Sequence, residues 1–77
     1  MAGAGDEHHA RRIVQIMKDA STAAGESMMF GAIEAEWLKP DNADQGELLA
    51  GLQYAGDRGW VEDAGLAIRL TAKGANI

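Results

Sequence analysis

The chain has 77 residues, no cysteine and a formal net charge of −5. A chain of this length makes one domain with a small core, and the absence of thiols excludes a disulfide framework and a cysteine metal site. No apolar run approaches the ~20 residues of a bilayer-spanning helix, and the N-terminus lacks an apolar signal core, so a cytoplasmic protein without membrane contact is expected.

Residues 1–6 are small and glycine-rich at their start and are expected to form a disordered tail, with the folded domain over 7–77. Asp6 or Glu7 opens the first helix, where an acid suits the helix dipole. Ala10, Ile13, Val14, Met17 and Ala20 share one helical face, and Arg11, Arg12, Gln15, Lys18 and Asp19 the other. The helix ends near Ser21 to Gly25. Met28 and Met29 read as a short extended piece before a helix from about Gly31 to Leu38. Phe30, Ile33 and Trp37 lie on one side of that helix and belong in the core. Lys39 precedes Pro40, which disfavours helix there, so Lys39-Pro40-Asp41 is a turn between helices.

The third helix starts at Asn42 or Asp44, each with an amide or acid three residues on, Gln45 or Glu47. At about 100° per residue, Leu48, Leu49, Leu52, Ala55 and Gly56 form the inner arc, and Glu47, Ala50, Tyr54, Asp57 and Arg58 lie opposite. Gly59 stands where a left-handed C-terminal cap is usual. Trp60 to Asp63 reads as a strand and Ala64-Gly65 as a hairpin turn. Leu66, Ile68 and Leu70 alternate with Ala67 and Arg69, so the three apolar residues, with Val61, should face the helices. Thr71 closes the strand, and a last turn ends at Gly74.

Candidate chemistry is sparse. His8 and His9 are adjacent, about 100° apart on a helix, whereas helical metal ligands want i, i+3 or i, i+4 spacing. Ser21, Thr22, Ser27 and Thr71 have no histidine nearby in sequence to activate them, and so small a domain offers little room for a water-excluding cleft. No enzyme activity, metal or cofactor is expected. Gly3-Ala4-Gly5 follows no strand and lacks the Gly-Lys-Ser/Thr ending of a phosphate loop. Glu34 and Glu36 do not share a helix face and read as solvated. Trp37 reads as core, while Trp60, on a strand edge next to the core, reads equally as core or as a stacking surface.

Gly59-Trp60-Val61-Glu62, followed by Arg69-Leu70-Thr71-Ala72-Lys73-Gly74, resembles the wing of small bacterial winged helix-turn-helix proteins, in which a GW(I/V)E strand is followed by an RLTxxG strand and turn. The resemblance spans roughly residues 10 to 75. It implies an α+β, mainly α fold: three helices with a two- or three-stranded antiparallel wing.

Two functions follow from that resemblance and from the charge pattern. The first is a nucleic-acid-binding or transcription-regulatory module. By the resemblance, its contacts would be Asn42, Gln45, Gln53, Tyr54 and Arg58 on the third helix, with Arg69 and Lys73 beside the wing. Homodimerisation would raise its affinity for DNA. Against this, six acids and one base, Arg58, lie between Asp41 and Asp63, which opposes phosphate approach. The second function is a protein-interaction module, such as a subunit, adaptor or inhibitor, facing a partner with a basic surface. Its interface would be Gly46, Glu47, Ala50, Gly51, Tyr54 and Asp57, small residues around one large amphipathic side chain.

Overall fold

The computed structural model describes residues 4–41 and 43–77. The fold is α+β and mainly helical: α1 (Ala4–Asp19), β1 (Ser27–Met29), α2 (Phe30–Trp37), α3 (Gln45–Asp57), β2 (Val61–Asp63), β3 (Ala67–Leu70) and α4 (Ala72–Ala75). The three expected helices are four among the described residues. The fourth is a single turn, capped where the Thr71 hydroxyl accepts from the Gly74 N–H at 3.0 Å. The sheet has three antiparallel strands in the order β1-β3-β2, so the Met28–Met29 segment is a strand.

The core is built from both layers. Ala10, Ile13, Val14 and Met17 of α1, Ile33 and Trp37 of α2, and Leu48 and Ala55 of α3 meet Trp60, Val61, Ile68 and Leu70 from the sheet side. Burying each large apolar side chain here is worth about 1.5–3 kcal/mol. The α1 stripe is as the 3.6-residue period predicts, except that Ala20 lies past the helix end and is exposed. α1 begins at Ala4, so Asp6 and Glu7 occupy its first turn rather than its start.

Several expectations need correction. Leu66 does not join the core: it is 81% exposed. It sits in the β2–β3 turn, where Gly65 takes φ 81°, and the alternating pattern begins only at Ala67. Trp60, which the sequence left undecided between the core and the surface, is buried. Leu49 and Gly56, placed on the inner arc of α3, are exposed, and Gly51 is buried in their stead. The reason is the contact with α1. A Cβ on Gly51 would stand 2.8 Å from His9 Cβ and 2.9 Å from the His9 carbonyl carbon, so the two helices approach across a residue that has no side chain.

Local signals explain the remaining boundaries. Asp44 caps α3, accepting from the Gly46 N–H at 3.0 Å. Asn42, the other candidate cap, lies outside the described residues. Gly59, at φ 75°, follows α3 and turns the chain into β2. Gly74 admits no larger residue, because a Cβ there would overlap the Trp60 carbonyl oxygen. The Thr71 hydroxyl meets the same junction, donating toward the Gly59 and Trp60 carbonyls at 2.6 and 3.0 Å. No helix among the described residues is long and apolar enough to cross a membrane.

Candidate nucleic-acid interface

The outward stripe of α3 is set by the two sides that are already occupied. Leu48, Gly51 and Ala55 face the interior. Glu47 and Tyr54 are turned onto α1: His9 Nε2 lies 3.2 Å from Glu47 Oε2, and the Tyr54 hydroxyl donates to Glu7 Oε1 at 3.0 Å. The exposed residues are Gln45, Gly46, Leu49, Gln53, Gly56 and Asp57. Gln45, Leu49 and Gln53 repeat every fourth residue along its length, which places them in one row.

The expected contact residues are therefore divided. Gln45 and Gln53 are in the exposed row, although the Gln45 amide also donates to the Glu34 carboxylate. Tyr54 is half-buried between Glu7, Arg58 and the edge of Trp60, whose ring centroid is 5.7 Å away. Arg58 donates from Nε to the Tyr54 hydroxyl at 3.1 Å and lies over its ring. Arg69, on β3, pairs with Glu62 at 3.5 Å. Lys73, on α4, is exposed beside Gly59. Asn42 is outside the described residues.

The set expected for a protein interface does not form one patch. Gly46 and Asp57 are exposed, Glu47 and Tyr54 are half-buried along α1, and Ala50 is half-buried. Gly51 is fully enclosed. Leu49, 54% exposed, was assigned to the core by hydropathy, yet it is the large side chain in the middle of the outward row. The signal available for it was the i, i+4 repeat with Gln45 and Gln53.

Four of the six acids of this region have local tasks. Asp44 caps α3, Glu47 meets His9, Glu62 meets Arg69, and Asp63 Oδ1 accepts from the Gly65 N–H at 3.0 Å within the hairpin turn. Most of the cations are engaged as well. Arg11 bonds Glu7, and Lys39 bonds Glu36. Lys18 donates to the Ile77 main-chain oxygen. The Arg12 guanidinium stacks 4.1 Å above Trp37 and donates to the Trp37 carbonyl at 2.9 Å, closing the C-terminal end of α2. Arg12 and His9 are thus packing residues rather than solvated ones, since the His9 ring also stands edge-on to Trp37.

One titration is displaced by this arrangement. The Glu7 carboxylate is held below its ordinary range, first by the hydrogen bond from Arg11 and then by that from Tyr54. No group of three His, Cys, Asp or Glu side chains able to hold a metal ion occurs among the described residues. Chemically, the outward row can offer two amide side chains and one apolar side chain to a surface, with little charge of its own. No protein-family model matches the chain, and comparison with curated proteins and with solved structures returned no significant match.

Proposed function

We propose that the chain is a winged helix-turn-helix module that binds duplex DNA through the outward row of α3, with the β2–β3 hairpin as its wing. The element order and the β1-β3-β2 sheet support the fold reading. The observation that carries the DNA reading is the row Gln45, Leu49, Gln53. Amide side chains can bond a base edge in the major groove, adenine above all, and an apolar side chain can pack on a thymine methyl. Glu47, one of the carboxylates that oppose such an approach, is turned toward His9 on α1, while Asp57 stays exposed at the end of the helix.

Phosphate contacts would come from exposed cations whose present partners are exposed too. Lys39 and Arg69 sit in surface pairs of this kind, and such pairs are worth only about 0–1 kcal/mol, so exchanging them for phosphate costs little. Affinity should nonetheless be modest and its salt dependence shallow, because each phosphate contact contributes a slope of about 0.9.

A second reading has its own support. Leu49 is 54% exposed and Leu66, at the hairpin tip, is 81% exposed. Exposed apolar side chains on α3 and the hairpin suit a protein partner, and the net charge of −5 favours a basic one.

Fluorescence anisotropy with a labelled duplex, titrated at low and moderate salt, tests the first reading. Binding at about 10⁻⁴–10⁻⁶ M that weakens with salt, and is lost in a Leu49→Glu, Gln53→Glu double variant, is the expected result. No binding of the parent at low salt overturns it. Binding of an added basic protein that is lost in the same variant, with no DNA signal, would favour the second reading.

A further inference from the structure

β1 is an edge strand, and its outward-facing main chain has no strand beside it. The ladder to β3 uses alternate residues: Leu70 N–H donates to the Glu26 carbonyl at 2.8 Å, Phe30 N–H donates to the Leu66 carbonyl at 3.0 Å, and Met28 stands opposite Ile68 between them. In an antiparallel ladder the intervening residues turn their main-chain groups the other way, so Ser27 presents both of its groups outward and Met29 its N–H, the Met29 carbonyl being taken by the first turn of α2. Neither β1 side chain at this edge is charged, and Met29 is 57% exposed. The opposite edge of the sheet, β2, carries Glu62 and Asp63. Charges of that kind are the usual protection of a sheet edge.

An open groove of about 390 Å³ lies along β1 on the helix side of the sheet. Met28 forms its sheet wall, Ile16 and Ala20 its α1 side, and Ala32 and Ala35 its α2 side. The alanines make it wide enough for a branched apolar side chain. Asp19 and Glu36 stand at its rim, Glu26 is exposed at the start of β1, and Lys39 accompanies them, paired with Glu36.

We propose that β1 and this groove take an extended, basic segment of a partner protein, which pairs with the free edge as a fourth strand. The geometry of a strand supplies both parts of the recognition. Its backbone, about 4.8 Å from β1, would bond the outward N–H and carbonyl of Ser27 and the N–H of Met29. Its alternate side chains would drop into the groove, and the flanking lysines or arginines would meet Asp19, Glu36 and Glu26. The acidic rim favours such a segment over a second copy of this chain, which carries the same acids at the same edge. The site is separate from the outward row of α3, so it stands or falls independently of the DNA reading.

The test uses a fluorescein-labelled peptide alternating valine and lysine, read by anisotropy against the full chain. The decisive variant is Met29→Pro. Met29 has φ −61°, which proline adopts without strain, and residue 28 is already extended, as a residue before proline prefers. Proline removes the outward N–H and leaves the β3 ladder intact. Ala32→Trp, an exposed helical position, fills the groove without changing charge and decides the matter if the proline variant does not fold. The expected result is peptide binding to the parent that weakens about tenfold in each folded variant, the order expected for a lost main-chain hydrogen bond. DNA binding should be unchanged. The proposal is overturned if the folded variants bind the peptide as the parent does, if a valine–glutamate peptide binds equally well, or if the parent binds neither. A dimer seen by sedimentation equilibrium and broken by Met29→Pro would overturn it too, giving the edge to a second copy.

Discussion

The Tyr54 hydroxyl donates to the Glu7 carboxylate across 3.0 Å, joining positions 47 residues apart in the chain. Arg11 holds the other Glu7 oxygen at 3.1 Å, and Arg58 donates to the same tyrosine oxygen at 3.1 Å. This line of polar groups runs from the first turns of α1 to the last turn of α3 and lies beside Trp60, above which Arg11 stands at 5.2 Å. It fixes the N-terminal part of α1 against the helix that carries the candidate binding row.

Acid should loosen that link. The native pKa of Glu7 is lowered by Arg11 and Tyr54, so its contribution to stability is fully present above the ordinary glutamate range and is lost as pH falls through the lowered native value. Urea midpoints of the parent and of Glu7→Gln, measured across pH, should differ at neutrality and converge in acid. Parallel curves at every pH would show that ionisation of Glu7 adds nothing.

Two glycines of α3 should respond in opposite directions to alanine. Gly51→Ala would press a methyl within 2.8 Å of His9 Cβ and force the α1–α3 pair apart, costing about 1–3 kcal/mol despite the better helix propensity of alanine. Gly56→Ala meets nothing within 4 Å and should stabilise by about 0.4–1 kcal/mol. Chemical denaturation of the two variants checks both signs.

Much of the fold was legible because its cues are local. The positive-φ glycines at 59 and 65, the Asp44 cap and the alternation of Ile68 with Arg69 can all be read within a few residues. The inner arc of α3 was misread because hydropathy cannot see a buried glycine: Gly51 is inside through the proximity of His9, and Leu49 is outside because that proximity rotates the helix. Tyr54 and Glu47 were assigned to the outward face for the same reason, as their partners Glu7 and His9 lie far away in sequence. The α4 turn is too short to show a period. Of the candidate contacts, Gln45 and Gln53 could be read from the sequence as outward residues. The engagement of Tyr54 with Glu7, and of Arg58 with Tyr54, could not.

Leu66 and Leu70 provide a direct check on the hairpin. Both are leucines of one apparent alternation, but Leu70 is fully buried and Leu66 is 81% exposed. Leu70→Ala should cost about 2–5 kcal/mol, whereas Leu66→Ala should stay within about 0.5 kcal/mol. Thermal midpoints of the two variants would separate them; equal losses would mean that the hairpin tip packs against the body.

Arg12→Ala should destabilise through packing as well as charge. The substitution removes the plane stacked on Trp37 and the donor to the Trp37 carbonyl, and a cost of about 1–2 kcal/mol is expected. Arg12→Lys should recover only part of it, since an ammonium cannot stack as a plane. Urea midpoints, with the fluorescence of Trp37 and Trp60 together as the probe, would measure both; full recovery by lysine would assign the effect to charge alone.

The meeting of Gly74 and Thr71 with the Gly59–Trp60 peptide units has a consequence for how the molecule opens. The last turn of the chain is latched onto the hinge between α3 and β2, and Thr71 N–H also donates to the Trp60 carbonyl. The hairpin therefore cannot swing from α3 unless the C-terminal turn lets go first. Slow amide protons in β2, β3 and α4 should exchange together, as one cooperative unit, and trimming the final turn should release the hairpin rather than merely shorten the chain.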